Sequence, residues 1–112
     1  MKKIEAIIRP EKLEPVREAL AGLGIMGMTV VEVSGRGRQG GITLQWRAGD
    51  YKVDLLPKVK LEVVVIEQDV GQALHIIMSK AKTGAKGDGK MFVIPVENAI
   101  RISDGDEGDS AI

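Results

Sequence analysis

Between an apolar run of helical character and one of strand character lies Thr83-Gly84-Ala85-Lys86-Gly87-Asp88-Gly89-Lys90. Glycine lets backbone N–H groups ring an anion with no Cβ in the way. A lysine at the end of such a loop brings a mobile positive charge to a phosphate. The chemistry on offer is phosphate binding. The same composition suits an ordinary flexible turn from helix to strand, and the segment by itself does not choose. Gly84 to Lys90 also fits the spacing G-x-x-x-x-G-K, yet Met91 follows. A Walker loop needs Ser or Thr there to hold magnesium, and it runs from strand to helix. Here the order is reversed, so P-loop nucleotide hydrolysis is excluded and phosphate binding needs other support.

The elements that must position this loop can be read from hydrophobic period. Lys3 to Arg9 reads as a strand with Ile4, Ala6 and Ile8 on one face, ended by Pro10. From Glu11 to Leu23 the residues Leu13, Val16, Leu20 and Leu23 recur at helical spacing, with Pro15 tolerable in the first turn and Gly22 and Gly24 as the stop. Ile25 to Val33 reads as a second strand. A basic, glycine-rich stretch follows, Gly35-Arg36-Gly37-Arg38-Gln39-Gly40-Gly41, and then mixed polarity through Lys52. So long a connection in a small domain is usually functional. Leu55 to Ile66 is a third strand with Val59, Leu61, Val63 and Val65 on one face. Val70, Ala73, Leu74, Ile77, Met78 and Ala81 mark a second amphipathic helix, with Asp69 as its expected cap. Met91 to Val96 is a fourth strand, and the acidic tail from Ser103 reads as mobile. The order β-α-β, long loop, β-α-β predicts an α+β, ferredoxin-like double βαβ in one domain, residues 1–112.

Composition narrows the function classes. The 112 residues are 44% hydrophobic, enough for one domain with a real core. Formal net charge is zero, which removes a bulk electrostatic drive toward nucleic acid or anionic membrane. The absence of cysteine excludes disulfides, thiolate chemistry and Cys-based metal sites. Charges interrupt the first apolar run, so it is no signal peptide, and no run nears the roughly 20 residues of a membrane span. A cytoplasmic protein is expected. Only Trp46, Tyr51 and Phe92 are aromatic, so the core must be aliphatic. His75 is the sole histidine, and a helix histidine serves better there than a metal ligand.

These residues together resemble the PII signal-transduction proteins, particularly their GlnK-like branch. The likeness runs through Met1 to Pro10, Gly27-Met28-Thr29-Val30, Gly35 to Gly41, Tyr51, Val53 to Lys60 and Gly87 to Lys90. It implies a homotrimer with adenine-nucleotide sites between subunits. It also implies a T-loop at about 36–54, a B-loop at about 82–90 and a C-terminal loop at about 101–112. Members bind ATP or ADP competitively and, with Mg²⁺ and ATP, 2-oxoglutarate. They regulate nitrogen metabolism by docking the T-loop on transporters or enzymes.

Matched residue by residue, the nucleotide site would draw on Thr29, Gly35, Gly37, Arg38, Glu62, Val64, Gly87, Asp88, Gly89, Lys90 and Arg101. The 2-oxoglutarate site would draw on Arg9, Gln39, Gly41 and Lys58, with the Gln39 amide as a ligand of the magnesium. Arg47 and Trp46, near the loop tip, would meet the partner. In GlnK-like relatives that partner is an ammonium channel plugged by a loop arginine. Tyr51 matches the tyrosine that some bacterial relatives modify with a nucleotidyl group; the alternative is an unmodified loop tyrosine. Ser103 stands where relatives commonly carry a second arginine after Arg101, and Lys86 could compensate for that charge. Two rivals stand beside this regulator. An enzyme lacks an obvious general base, and an RNA binder would need more sheet aromatics than Phe92. Within the family the runner-up is a paralogue directed at a nitrogen-assimilation enzyme or nitrogenase.

Overall fold

A computed structural model describes residues 1–36, 42–46, 49–53 and 55–112, with the backbone alone for 42–46 and 49–53. The strands are β1 (Lys2–Ile8), β2 (Thr29–Gly35), β3 (Ile42–Trp46), β4 (Gly49–Val53), β5 (Leu56–Val65) and β6 (Lys90–Pro95). The helices are α1 (Leu13–Gly22) and α2 (Val70–Ala81). Four strands form one sheet in the order β2-β5-β1-β6, with every neighbouring pair antiparallel. Each helix therefore crosses between two parallel strands that flank a third. This is the ferredoxin-like double βαβ that the element order predicts.

Alternation explains the layering. Ile4, Ala6 and Ile8 of β1 are buried together with Val59, Leu61, Val63 and Val65 of β5. Against them pack Val16 and Leu20 of α1 and Ala73, Ile77 and Ala81 of α2. The two central strands are thus covered on one face. Residues of the opposite face, such as Lys3, Glu5, Lys60 and Glu62, are half-buried and joined as Lys3–Glu5 (3.1 Å) and Lys60–Glu62 (3.5 Å) ion pairs. The edge strands remain more open: Val30 and Val31 of β2 and Phe92 and Val93 of β6 are exposed.

Several expectations are corrected. Both helices are entered through a 3-10 turn, Pro10–Lys12 and Glu67–Asp69, so α1 begins at Leu13 rather than Glu11. Asp69 stands at the start of α2 but its side chain makes no capping bond, because the tight turn before it already occupies the helix entry. Leu23 and Met78 lie off the buried stripe and are exposed. Strand β2 starts at Thr29, not Ile25; Ile25 is a buried loop residue whose amide bonds Leu20 O at 3.0 Å. The long connection holds an antiparallel ribbon, β3 with β4, paired from Ile42↔Val53 to Trp46↔Gly49. Its signal was the alternation Ile42, Leu44, Trp46 and Tyr51, Val53.

The C-terminal segment is folded as well. Arg101 is the reason: its guanidinium donates to Asp104 (2.8 Å), Asp106 (3.4 Å) and the Ser110 carbonyl. An antiparallel bridge joins Ile100 to Glu107, and a 3-10 turn spans Gly108–Ala111. Among the described residues, no helix is long and apolar enough to cross a membrane.

Candidate functional site

The glycine-lysine loop is built around one carboxylate. Helix α2 ends at Ala81, and Lys82 is already extended. Asp88 then reaches back to accept from the Thr83 and Gly84 amides, both at 2.9 Å, and from the Thr83 hydroxyl. Thr83 Oγ1 in turn accepts from the Ala85 amide at 3.1 Å. From the far end of β1, Arg9 Nε donates to Asp88 at 3.1 Å and Arg9 Nη2 donates to the Lys86 carbonyl at 2.7 Å. Lys58 Nζ donates to the Gly87 carbonyl. The Thr83 hydroxyl, the Thr83 amide, Arg9 and the Gly84 amide hold the Asp88 carboxyl well below the usual carboxylate range. Asp88 is ionised at neutral pH, and its charge is matched inside the loop.

Two glycines owe their identity to this geometry. Gly87 has φ +94°, in the left-handed region that side chains avoid. Gly89 has φ +102°, and a Cβ added there would lie 1.7 Å from the Ile7 carbonyl oxygen. The loop is thereby pressed onto β1, next to the Ile7↔Lys90 pair.

The expected nucleotide residues divide between two clefts. The first, about 550 Å³, is lined by Gly35, Lys58, Gly87, Gly89 and Lys90, with Ile7 and Phe92 as apolar wall. Asp88 also lines it, although its carboxylate oxygens are engaged within the loop. The second, about 690 Å³, takes in Thr29, Glu62 and Val64, with Met26 and Met28 beside them and Asp109 and Ser110 from the tail. Thr29 and Glu62 face one another in the β2–β5 ladder. Arg101 lines neither of these clefts; it is engaged by the tail's own carboxylates. Arg9 and Lys58, expected to serve 2-oxoglutarate, meet at the B-loop carbonyls. Gly37, Arg38, Gln39, Gly41 and Arg47 lie outside the described residues, and Trp46 and Tyr51 are placed only by backbone, in β3 and β4.

Sequence reasoning missed Thr83, whose hydroxyl and amide organise the loop, and Ile7, whose carbonyl dictates Gly89. Neither carries a motif: Ile7 acts through its backbone carbonyl, and the Thr83 hydroxyl matters only because Asp88 folds back onto it. The donor set fits a polyphosphate: glycine-rich backbone and Lys90, with Lys58 held beside them on the Gly87 carbonyl and the nearby Asp88 matched by Arg9. Among the described residues no group of three or more His, Asp or Glu could hold a metal by itself.

An α+β ferredoxin-like domain with a cationic glycine loop defines the class. The family model "Nitrogen regulatory protein P-II" matches residues 1–106. The chain is 56% identical over 112 residues to the "Nitrogen regulatory protein P-II" of Pasteurella multocida (strain Pm70), covering 100% of both chains. It is 55% identical over 112 residues to "Nitrogen regulatory protein P-II 1" of Escherichia coli (strain K12), again covering 100% of both. With "Nitrogen regulatory protein P-II 2" of Methanothermobacter thermautotrophicus (strain Delta H) the identity is 53%, over 100% of this chain and 97% of the relative. The chain belongs to the nitrogen regulatory protein P-II family.

Proposed function

We propose that this protein is a PII-type signal transducer of the cytoplasm. It binds ATP or ADP and, with Mg-ATP, 2-oxoglutarate, and it regulates nitrogen metabolism by docking its T-loop on an ammonium transporter. It acts as a regulator and not as an enzyme. The observation that carries this reading is the first cleft. Glycines line it, so a ligand can come close to the backbone; Lys58 and Lys90 bring positive charge, and the Asp88 carboxylate is already matched by Arg9.

The second cleft supports assembly. Along β5, Glu62 is four residues from Lys58, about 13 Å at roughly 3.3 Å per residue. A homotrimer would set Thr29, Glu62 and Val64 of one copy opposite Gly87, Gly89 and Lys90 of the next. Gly37 and Arg38 would join from the T-loop base. Arg101 would exchange its present carboxylate partners for phosphate oxygens. Gln39 would hold the magnesium, with Gly41, Lys58 and Arg9 around the dicarboxylate. Tyr51 would be the site of any nucleotidyl modification.

Calorimetry tests the ligand half of this reading. 2-Oxoglutarate should bind only when Mg-ATP is present, because metal and nucleotide complete its site. The coupling must be reciprocal. Equal affinity with ADP, or without magnesium, would overturn the arrangement.

The partner half is tested by flux through a reconstituted ammonium transporter. An extended loop can enter a pore that a globular domain cannot, and the Arg47 guanidinium offers five fixed donors to carbonyls lining it. Trp46 beside it would pack against the vestibule. The ADP-bound protein is expected to block flux, and Arg47→Ala to restore it. Undiminished flux, with capture of a nitrogen-assimilation enzyme instead, would favour an enzyme-directed paralogue.

A further inference from the structure

We infer that Arg9 is a positioning residue for the nucleotide loop, acting before any 2-oxoglutarate is bound. The inference rests on the nucleotide reading above and deepens it.

Arg9 follows β1 directly and is extended, with Pro10 opening the turn behind it. Its side chain therefore projects past the strand end to a loop 79 residues later in the chain. Its two bonds end on Asp88 and on the Lys86 carbonyl, the residues either side of Gly87. Fixing both neighbours fixes the peptide units through which Gly87 meets a phosphate. Asp88 meanwhile ties the start of the loop through Thr83 and Gly84. Arg9 thus closes a clamp that ties the middle of the loop to its start.

Charge gives Arg9 a second effect on the same site. Asp88 lines a cleft proposed to take an anion, and an unmatched carboxylate there would repel phosphate. Arg9 is the cation that matches it. The Arg9 and Asp88 side chains are only 25% and 24% exposed, so the pair is screened less than a surface ion pair. Losing Arg9 would both release the loop and expose a negative charge to the ligand. A residue serving 2-oxoglutarate alone would do neither.

The test is ADP affinity by calorimetry without 2-oxoglutarate, for the parent protein, Arg9→Met and Arg9→Lys, together with amide exchange in the nucleotide-free state. Arg9→Met is expected to weaken ADP by about 10-fold or more, the scale of one charge-assisted contact. Arg9→Lys, which keeps the charge but offers no fork, should recover part of that loss. The Thr83 and Gly84 amides should exchange faster in Arg9→Met while those of β1 and β5 do not, which separates loop positioning from general destabilisation. If Arg9→Met fails to fold, Arg9→Lys decides: a several-fold loss with faster exchange at Thr83 and Gly84 supports the inference. ADP affinity within two-fold of the parent in the folded variants would overturn it. Absence of ADP binding by the parent protein itself would overturn the nucleotide reading along with it.

Discussion

Gly89→Ala is expected to dislodge the B-loop and abolish tight nucleotide binding. The alanine Cβ would sit 1.7 Å from the Ile7 oxygen, 2.8 Å from its carbonyl carbon and 3.3 Å from Ile8 Cα. All three are main-chain atoms, so no side chain can swing aside. Strand β1 cannot yield, because it is paired with β5 on one side and β6 on the other. The loop must move instead. The φ of +102° adds a cost of about 1–3 kcal/mol for any residue with a side chain. Moving the loop pulls Asp88 from Arg9 and carries Gly87 away from the cleft. Thermal denaturation should show a clear drop in melting temperature, and ADP affinity should fall below detection. An alanine variant that melts and binds like the parent would show that the loop does not press on β1.

Lys90→Ala should separate charge from architecture. Lys90 begins β6, is exposed, and lines the first cleft beside Gly87 and Gly89. In the proposed reading its ammonium meets a phosphate, while its backbone pairs with Ile7 whatever the side chain. Losing one charge-assisted contact costs about 1.5–3 kcal/mol, or roughly 10- to 100-fold in affinity. Stability should change little, within about 0.5 kcal/mol, as for other exposed positions. Calorimetry with ATP and with ADP measures the loss. Unchanged affinity for both would remove Lys90 from the site. The pair of variants is informative together, since Gly89→Ala should lower both stability and affinity and Lys90→Ala affinity alone.

Much of the architecture was legible in the chain because it depends on local period. Ile4, Ala6 and Ile8 alternate, as do Val59, Leu61, Val63 and Val65, and both sets are buried as alternation requires. The spacing of Val16 with Leu20 and of Ala73 with Ile77 and Ala81 made two amphipathic helices. Two βαβ units in series then left few ways to form one sheet. The glycine-lysine composition of residues 84–90 also suggests an anion, which the proposed nucleotide reading takes up.

What the chain could not disclose is which distant groups meet. Arg9 and Asp88 are 79 residues apart, and nothing local in either says that one neutralises the other. Gly89 reads as a ligand-approach glycine, yet the atom that forbids a side chain there is the carbonyl of Ile7. The tail reads as mobile because it is acidic and glycine-containing, but one arginine gathers Asp104, Asp106 and Ser110 around itself. Within one copy the residues expected at a nucleotide site between subunits fall into two clefts, because Thr29 and Glu62 pair at one part of the β2–β5 ladder and Gly35 and Lys58 lie nearer its other end. Period and composition determine faces and elements. Strand order and register decide which side chains share a cleft, and those are set by contacts between segments far apart in the chain.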